Sequence, residues 1–455
     1  MATIPQQRLF SWNTVESSSD LDRLRMVFSA IPDEDLMQAM EAARGKGRDD
    51  YPVRVMWNSV LAGIVFGHPH IESLRRELRR NGELRDLCGF DPFMGSDSIP
   101  DAWVYSRFLR ELFRHQEMID GMFHSLVEMV REVLPDFGKV LAVDSKKLES
   151  FGNPTSKAPG DGRRDTDAQW GRKEYSGRRG DGTVWNRVVK WFGFKLHLLV
   201  DSQHELPVAY EVTGAAASDM TNLLPLVEKA VERHPGFLEQ CEELSGDRGY
   251  DSIDNNEKLY SEYSIKPLID IRNMWKEKEG EDGTRSLYPD RADNIVYDYQ
   301  GNVFCVCPVT GEKRNLAYCG YEGKRDCLKY RCPAAHFDYE CKGRGRCHPS
   351  GSEYGRVVRI PLETDRRIFT PIARSSESWA EKYKKRTAVE RVNSRLDVSF
   401  GFEVHTIRGL AKMKLRVGLA MVVMLAMAVG SIKANQAYRM RSLVWSVKKP
   451  KRRAA

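Results

Sequence analysis

Residues 383–396 read YKKRTAVERVNSRL and set a lone carboxylate, Glu390, among basic side chains in a stretch with helical character. At 3.6 residues per turn, Tyr383, Arg386, Glu390 and Asn393 or Ser394 fall on one face, because steps of three and four residues return a helix to the same side. That face gathers a carboxylate, a guanidinium and a phenol. Such a face can hold a metal ion against a phosphate while the arginine and tyrosine grip neighbouring phosphates. The plainer reading is a solvated helix with one Glu–Arg pair.

Two upstream stretches decide between these readings. KVLAVDS (139–145) is an apolar run ending in Asp144, and ELSGDRGY (243–250) sets Asp247 at a strand-to-turn junction. Open α/β sheets carry their chemistry at the carboxyl ends of strands. Two strand-end aspartates and a helix-borne glutamate form a candidate triad for divalent metal and phosphodiester chemistry.

The order Asp, Asp, Glu, with GDRGYDS around the second acid and Y-x2-R-x3-E around the third, resembles the DDE transposases of bacterial insertion sequences. DTDAQWGRK (165–173), WFGFKLHLLVD (191–201) and ELPVAYEVTGAAASDMTNLLPLVE (205–228) are similar to that family too. So are the Arg408-Gly409 pair and WVYSRFLREL (103–112), at the end of a helical amino-terminal domain of the kind the family carries. The likeness runs from about residue 54 to 435. It implies an RNase H-like mixed sheet flanked by helices. It also implies that Asp144, Asp247 and Glu390 hold Mg2+ or Mn2+ ions for DNA cleavage and strand transfer, with Lys195, Tyr383, Arg386 and Arg391 on DNA. One position departs: the family's helix usually carries lysine seven residues past the glutamate, where this chain has Asp397.

The 455 residues suffice for two or three domains. Lys and Arg number 71 against 64 Asp and Glu, a net charge of +7, so local clustering rather than total charge decides partners. Residues 1–14 lack a cationic start followed by an apolar core, so no signal peptide is expected and the bacterial cytoplasm, at the nucleoid, is the expected location. The uncharged run 417–432 is short of the roughly 20 residues of a spanning helix, and is read as a buried helix rather than a membrane segment.

The expected organisation is an all-α domain over 1–135, a first part of the catalytic core over 136–271, a small Cys-rich β insertion over 272–371, a second core part carrying Glu390 over 372–440, and a basic tail over 441–455. In the first, Asp33 is a candidate helix cap and Leu74, Leu78, Leu84 and Leu87 oppose Arg75, Arg76, Arg79, Arg80 and Arg85. The arginines are read as contacts to the DNA of the element ends, against the alternative of a bundle whose outer face is basic. Residues 151–182, rich in Gly, Arg and Asp, read as a mobile loop that either closes over DNA through cations such as Lys173 or makes no fixed contact. Two strands follow, 188–201 and 206–212. His197 on the first is read as structural.

Seven of the nine cysteines lie between 305 and 347, spaced C-x-C, C-x4-C and C-x5-C-H. No C-x2-C pair is present. In a chain without an export signal, zinc explains the pairs better than disulfides. One structural Zn2+ is expected from a pool of Cys305, Cys307, Cys327, Cys332, Cys341 and Cys347, with His336 and His348 as substitutes and a set of reduced thiols as the alternative.

The function expected is that of a transposase binding double-stranded DNA at terminal inverted repeats and at a target. A homodimer on DNA is expected because two ends must be joined. A catalytically inactive DNA-binding descendant and a nuclease without strand transfer are the competing readings.

Overall fold

The computed structural model describes residues 19–45, 50–155, 163–275, 283–290, 293–348 and 352–442. The amino-terminal stretch read for a signal peptide and most of the basic tail lie outside them. The chain begins with helices α1 (Ser19–Ala30), α2 (Glu34–Arg44), α3 (Val53–Val65), α4 (Ile71–Arg80), α5 (Gly82–Cys88), α6 (Ala102–Leu112) and α7 (Gln116–Val133). Asp33 precedes α2 but does not cap it through its side chain. Its carboxylate instead accepts from Trp57 Nε1 at 2.6 Å and from Arg54 at 2.6 Å, because a buried indole N–H needs a partner. His70 and Asn81 supply the caps that start α4 and α5.

The central sheet comprises β1 (Val140–Glu149), β2 (Gln169–Arg178), β3 (Val184–Asp201), β4 (Leu206–Gly214), β5 (Glu243–Gly246) and β6 (Lys266–Ile269). Its order is β2-β3-β1-β5-β6, with β4 also on β3. β1 runs antiparallel to β3 and parallel to β5, so the sheet is mixed. α8 (Asp219–Arg233) returns the chain from β4 toward β5, and α9 (Ile253–Ser261) joins β5 to β6.

The expected loop over 151–182 is in part a strand. β2 pairs along β3 from Gln169↔Gly193 to Arg178↔Val184, making a long ribbon out of the sheet. Its glycines are seats for tryptophans across the ladder: a Cβ on Gly171 would meet the Trp191 ring at 2.4 Å, and one on Gly177 the Trp185 ring at 2.7 Å. At Gly193, where β3 passes from β1 to β2, a Cβ would stand 2.2 Å from the Leu148 carbonyl oxygen.

After β6 comes an insertion of two small sheets. The first holds β7 (Thr284–Ser286), β8 (Ile295–Asp298), β9 (Val303–Val306) and β10 (Lys313–Asn315); the second holds β11 (Ala317–Glu322), β12 (Cys327–Arg331) and β13 (Val357–Pro361). They share an apolar core of their own that includes Ile295, Leu328, Tyr330, Ile360 and Phe369.

The chain then re-enters the main body through α10 (Glu377–Tyr383), a 3-10 turn over Lys384–Arg386, and α11 (Thr387–Val398). Tyr383 and Glu390 are therefore not on one continuous helix, as the spacing implied. α12 (Leu410–Lys433) is 24 residues long and apolar enough to cross a membrane by length and composition, yet it is buried against α7, α1, α3 and β4. Its start is pinned by the 165–167 stretch: Gly409 N donates to Asp165 Oδ2 at 2.8 Å and Leu410 N to Asp167 Oδ2 at 3.1 Å. Carboxylates there also face the positive end of the helix dipole.

Several imidazoles are buried in the main body. Burial pushes His124 down to about 3 and His197 and His405 down to about 4. His124 Nδ1 lies 3.0 Å from His234 Nε2, and neither ring can gain a proton cheaply beside the other. A histidine whose folded pKa is depressed stabilises the fold above its unfolded pKa, near 6.5, and that contribution is lost as pH falls toward the folded value. Urea unfolding is accordingly expected to show a falling midpoint between about pH 6.5 and 4.5, with a shallower fall in His124→Phe. An unchanged slope in that variant would remove His124 from the explanation.

Candidate active site

The ladder of β1 and β5 decides where the two aspartates stand. The parallel register ends at Val143↔Gly246, so Asp144 and Asp247 stand at the same level just past the last β1–β5 pair. Asp247 leaves β5 there, whereas Asp144, expected at a strand end, is mid-strand because β1 continues along β3 to Glu149. Asp144 is half-buried, its side chain 14% exposed, and Ser145 N donates to its Oδ1 at 2.8 Å. Burial is the main reason its carboxyl is pushed up to about 6; Lys173 opposes the shift and Asp247 adds to it. Asp247 accepts from Gly249 N at 2.7 Å, which starts the short turn Arg248–Tyr250.

Lys173, on β2, completes this centre. Its Nζ is 3.9 Å from Asp144 Oδ1 and 3.9 Å from Asp247 Oδ2, so two carboxylates share one ammonium. Sequence reasoning placed Lys173 only among the cations of a mobile loop. Its inclusion in DTDAQWGRK was the available signal, but the contact depends on β2 lying along β3.

Glu390 sits in the first turn of α11, half-exposed, while Ala388, Val389, Val392 and Leu396 bury the other side of the helix; α11 packs on β1 and β3. Arg386 Nη2 donates to Glu390 Oε1 at 2.7 Å, and the Arg386 charge also acts on Asp144. Glu390 is thus held by Arg386, whose charge is felt at Asp144. Among the described residues, no three His, Cys, Asp or Glu side chains are gathered as a ready metal cage. The surplus of carboxylate around one lysine is nevertheless the donor set that a hard divalent cation takes.

The residues expected on DNA divide by what already holds them. Arg76 and Arg79 are exposed on α4. Arg75 is not: its Nε donates to the Pro100 carbonyl at 2.8 Å and its guanidinium pairs with Glu72 and Asp101. Arg80 pairs with Glu77. Lys195 is buried, with Nζ 2.7 Å from the Ala217 carbonyl and 3.0 Å from Asp219 Oδ1, so it braces the site rather than facing solvent. Arg391 is half-exposed and shares Glu205 with Arg395 and Arg441. Tyr383 stacks on Trp379 with ring centroids 4.5 Å apart, and Arg386 lies over the Tyr383 ring at 5.8 Å. Asp397, at the position where lysine was expected, forms an ion pair with Lys146, two residues beyond Asp144 on β1.

Of the cysteine pool, Cys305, Cys307, Cys332, Cys341 and Cys347 line one cavity in the insertion. Cys327 does not; it is buried on β12 with its thiol toward Glu322.

With this geometry in place, comparison with known families is decisive: the Transposase DDE domain model matches residues 135–426. The chain belongs to the DDE transposase family. A second model, Transposase domain (DUF772), matches residues 13–111, the amino-terminal helices of this transposase. The DDE domain accounts for the RNase H-like order of the central sheet. Among solved structures, a piggyBac transposase synaptic complex with hairpin DNA is similar at a TM-score of 0.33 and 12% identity, over 95% of this chain and 80% of that one. No curated protein matches the transposase.

Proposed function

We propose that this transposase cleaves and rejoins double-stranded DNA at the ends of its element, with Asp144, Asp247 and Glu390 as ligands for Mg2+ or Mn2+. The observation that carries the reading is the β1–β5 register, which sets the two aspartates side by side with the Lys173 amine near both. A divalent ion pair bound there would supply an activated water or 3′-hydroxyl and stabilise the departing oxygen.

The chain's own groups prepare that chemistry. The buried flank of α11 fixes Glu390 over β1, and Arg386 holds its carboxylate while countering the charge of Asp144. Release of Arg386 to a DNA phosphate would free Glu390 for a metal, and a guanidinium suits a phosphate through its fork of donors. Tyr383 is poised beside it. Lys195, bonded to Asp219, supports the strand opposite Lys147 of β1 rather than touching the substrate.

Lys173 occupies the space between the aspartates as a resident cation. Two ion pairs near 4 Å are each worth about 1 kcal/mol even in water, about 2 kcal/mol together, so Lys173→Met is expected to raise Mn2+ affinity roughly thirtyfold. Equilibrium dialysis with Mn2+ would check this. Unchanged or weaker binding would show that Lys173 does not compete for the site.

Arg76 and Arg79 of the amino-terminal helices are proposed as contacts to the element ends, with a homodimer holding two ends together at the bacterial nucleoid. Supercoiled plasmid carrying the element ends, incubated with the protein in Mg2+ or in EDTA, tests the activity. Metal-dependent nicking and joining is the expected result. Retained binding without cleavage would instead favour the inactive DNA-binding reading.

A further inference from the structure

The cysteine-lined cavity in the insertion is independent of the acidic centre and is built from both small sheets. Cys305 and Cys307 come from β9 and the turn after it, Cys332 from the end of β12, and Cys341 and Cys347 from the segment before β13. The cavity is about 40 Å³, room for an ion but not for an organic ligand. All nine cysteines are free thiols, so none of these sulfurs is spent in a disulfide.

Several sulfurs are already held as acceptors. Cys307 is hydrogen-bonded by the amides of Val309 and Thr310 and by the Thr310 and Cys341 side chains. Asn294 Nδ2 donates to Cys347 Sγ at 3.2 Å. The turn that carries Cys307 closes tightly, with Gly311 N donating to the Cys307 carbonyl at 2.8 Å. Arg314, Arg344 and Arg356 line the same cavity.

Position in the backbone separates the five. Cys305 is mid-strand, fixed by ladder partners on both sides, Ile295 and Arg314. The other four lie in turns or at element ends, where the backbone as well as the side chain can adjust to bring the sulfurs onto one ion without breaking a ladder. We propose that Cys307, Cys332, Cys341 and Cys347 bind one structural Zn2+ that staples the two sheets of the insertion together. Four thiolates at about 2.3 Å make the closed tetrahedral set of a structural zinc site. The insertion's own core is small, and a metal staple is a common substitute for missing apolar burial. The proposal does not depend on the assignment of the three acids.

Full-length protein from zinc-replete medium, dialysed against metal-free buffer, is expected to retain one zinc per chain by atomic absorption. Cys341→Ser and Cys347→Ser should each lower retained zinc at least tenfold, while Cys305→Ser and Cys327→Ser keep it. To separate loss of zinc from misfolding of a variant, Co2+ is added in parallel to chelator-stripped wild-type protein. Tetrahedral thiolate–cobalt absorption bands are expected, and limited proteolysis within 283–348 should accelerate on stripping and slow again on adding Zn2+. Wild-type protein that neither retains zinc nor develops the cobalt bands would overturn the site. Full zinc in Cys341→Ser, or its loss in Cys305→Ser alone, would overturn the ligand set.

Discussion

Asp144→Asn is expected to reduce strand cleavage by on the order of a thousandfold, because it removes one of the three anionic ligands of the proposed metal site. Binding of the element ends should be unchanged, since Asp144 is half-buried within β1 and the exposed arginines of α4 lie elsewhere. The same substitution should raise the urea midpoint at neutral pH. The wild-type carboxyl has its pKa pushed up to about 6, so it is ionised at pH 7 against the preference of its surroundings. A raised carboxylate pKa means stability that is present below the unfolded value and is lost as pH rises through the folded one, and asparagine escapes that loss. An inactive, stabilised variant is the signature of a site that trades stability for chemistry. Cleavage at the wild-type rate would remove Asp144 from the metal site, whereas an inactive variant that had also lost end binding would point to misfolding.

The largest effect on folding is expected at Asp251, within the GDRGYDS stretch. Its carboxylate is fully buried and accepts from Arg367 Nε at 2.9 Å and from Arg272 N at 2.8 Å. Arg367 and Arg272 flank the insertion, so this one carboxylate ties both of its ends to the turn that follows Asp247. Asp251→Ala would leave the Arg367 guanidinium buried without a counter-charge, a loss of about 3–5 kcal/mol. The paired replacement Asp251→Leu with Arg367→Met should cost less, since it removes both members of the pair together, and the remaining loss falls on the buried Arg374 guanidinium, for which Asp251 is also the leading counter-charge. Chemical denaturation of the three variants measures the difference. A single-variant loss below about 1 kcal/mol would mean that water or a neighbour takes the place of the carboxylate.

Much of the candidate site could be read from the chain because its acids stand in locally marked places: Asp144 follows the apolar run VLAV, Asp247 begins a turn, and Glu390 is an isolated acid among cations. The strand end expected at Asp144 is absent, because β1 runs on to Glu149. What could not be read was set by contacts between distant segments. Lys173 reaches the aspartates only because β2 lies along β3, and β2 was hidden by its own composition: glycine at 171 and 177 suggests a loop until Trp191 and Trp185 are seen resting on those positions. Arg75 shares the pattern of an exposed basic face, but the Pro100 carbonyl and Asp101 cover it. The break at Lys384–Arg386 carries neither proline nor glycine, so no local residue marked it. Cys327 had suitable spacing for a metal site, but strand alternation turns it away from the other thiols.

The central claim is that the two aspartates and Glu390 form one divalent-metal site, and Mn2+ binding measures it most directly. Titration followed by the electron paramagnetic resonance signal of free Mn2+, on the wild type and on Asp247→Asn and Glu390→Gln, needs no DNA and no turnover. Saturable binding by the wild type, weakened at least tenfold in Asp247→Asn and to a smaller degree in Glu390→Gln, whose carboxylate is held by Arg386, is the predicted result. Wild-type affinity in Asp247→Asn would contradict it.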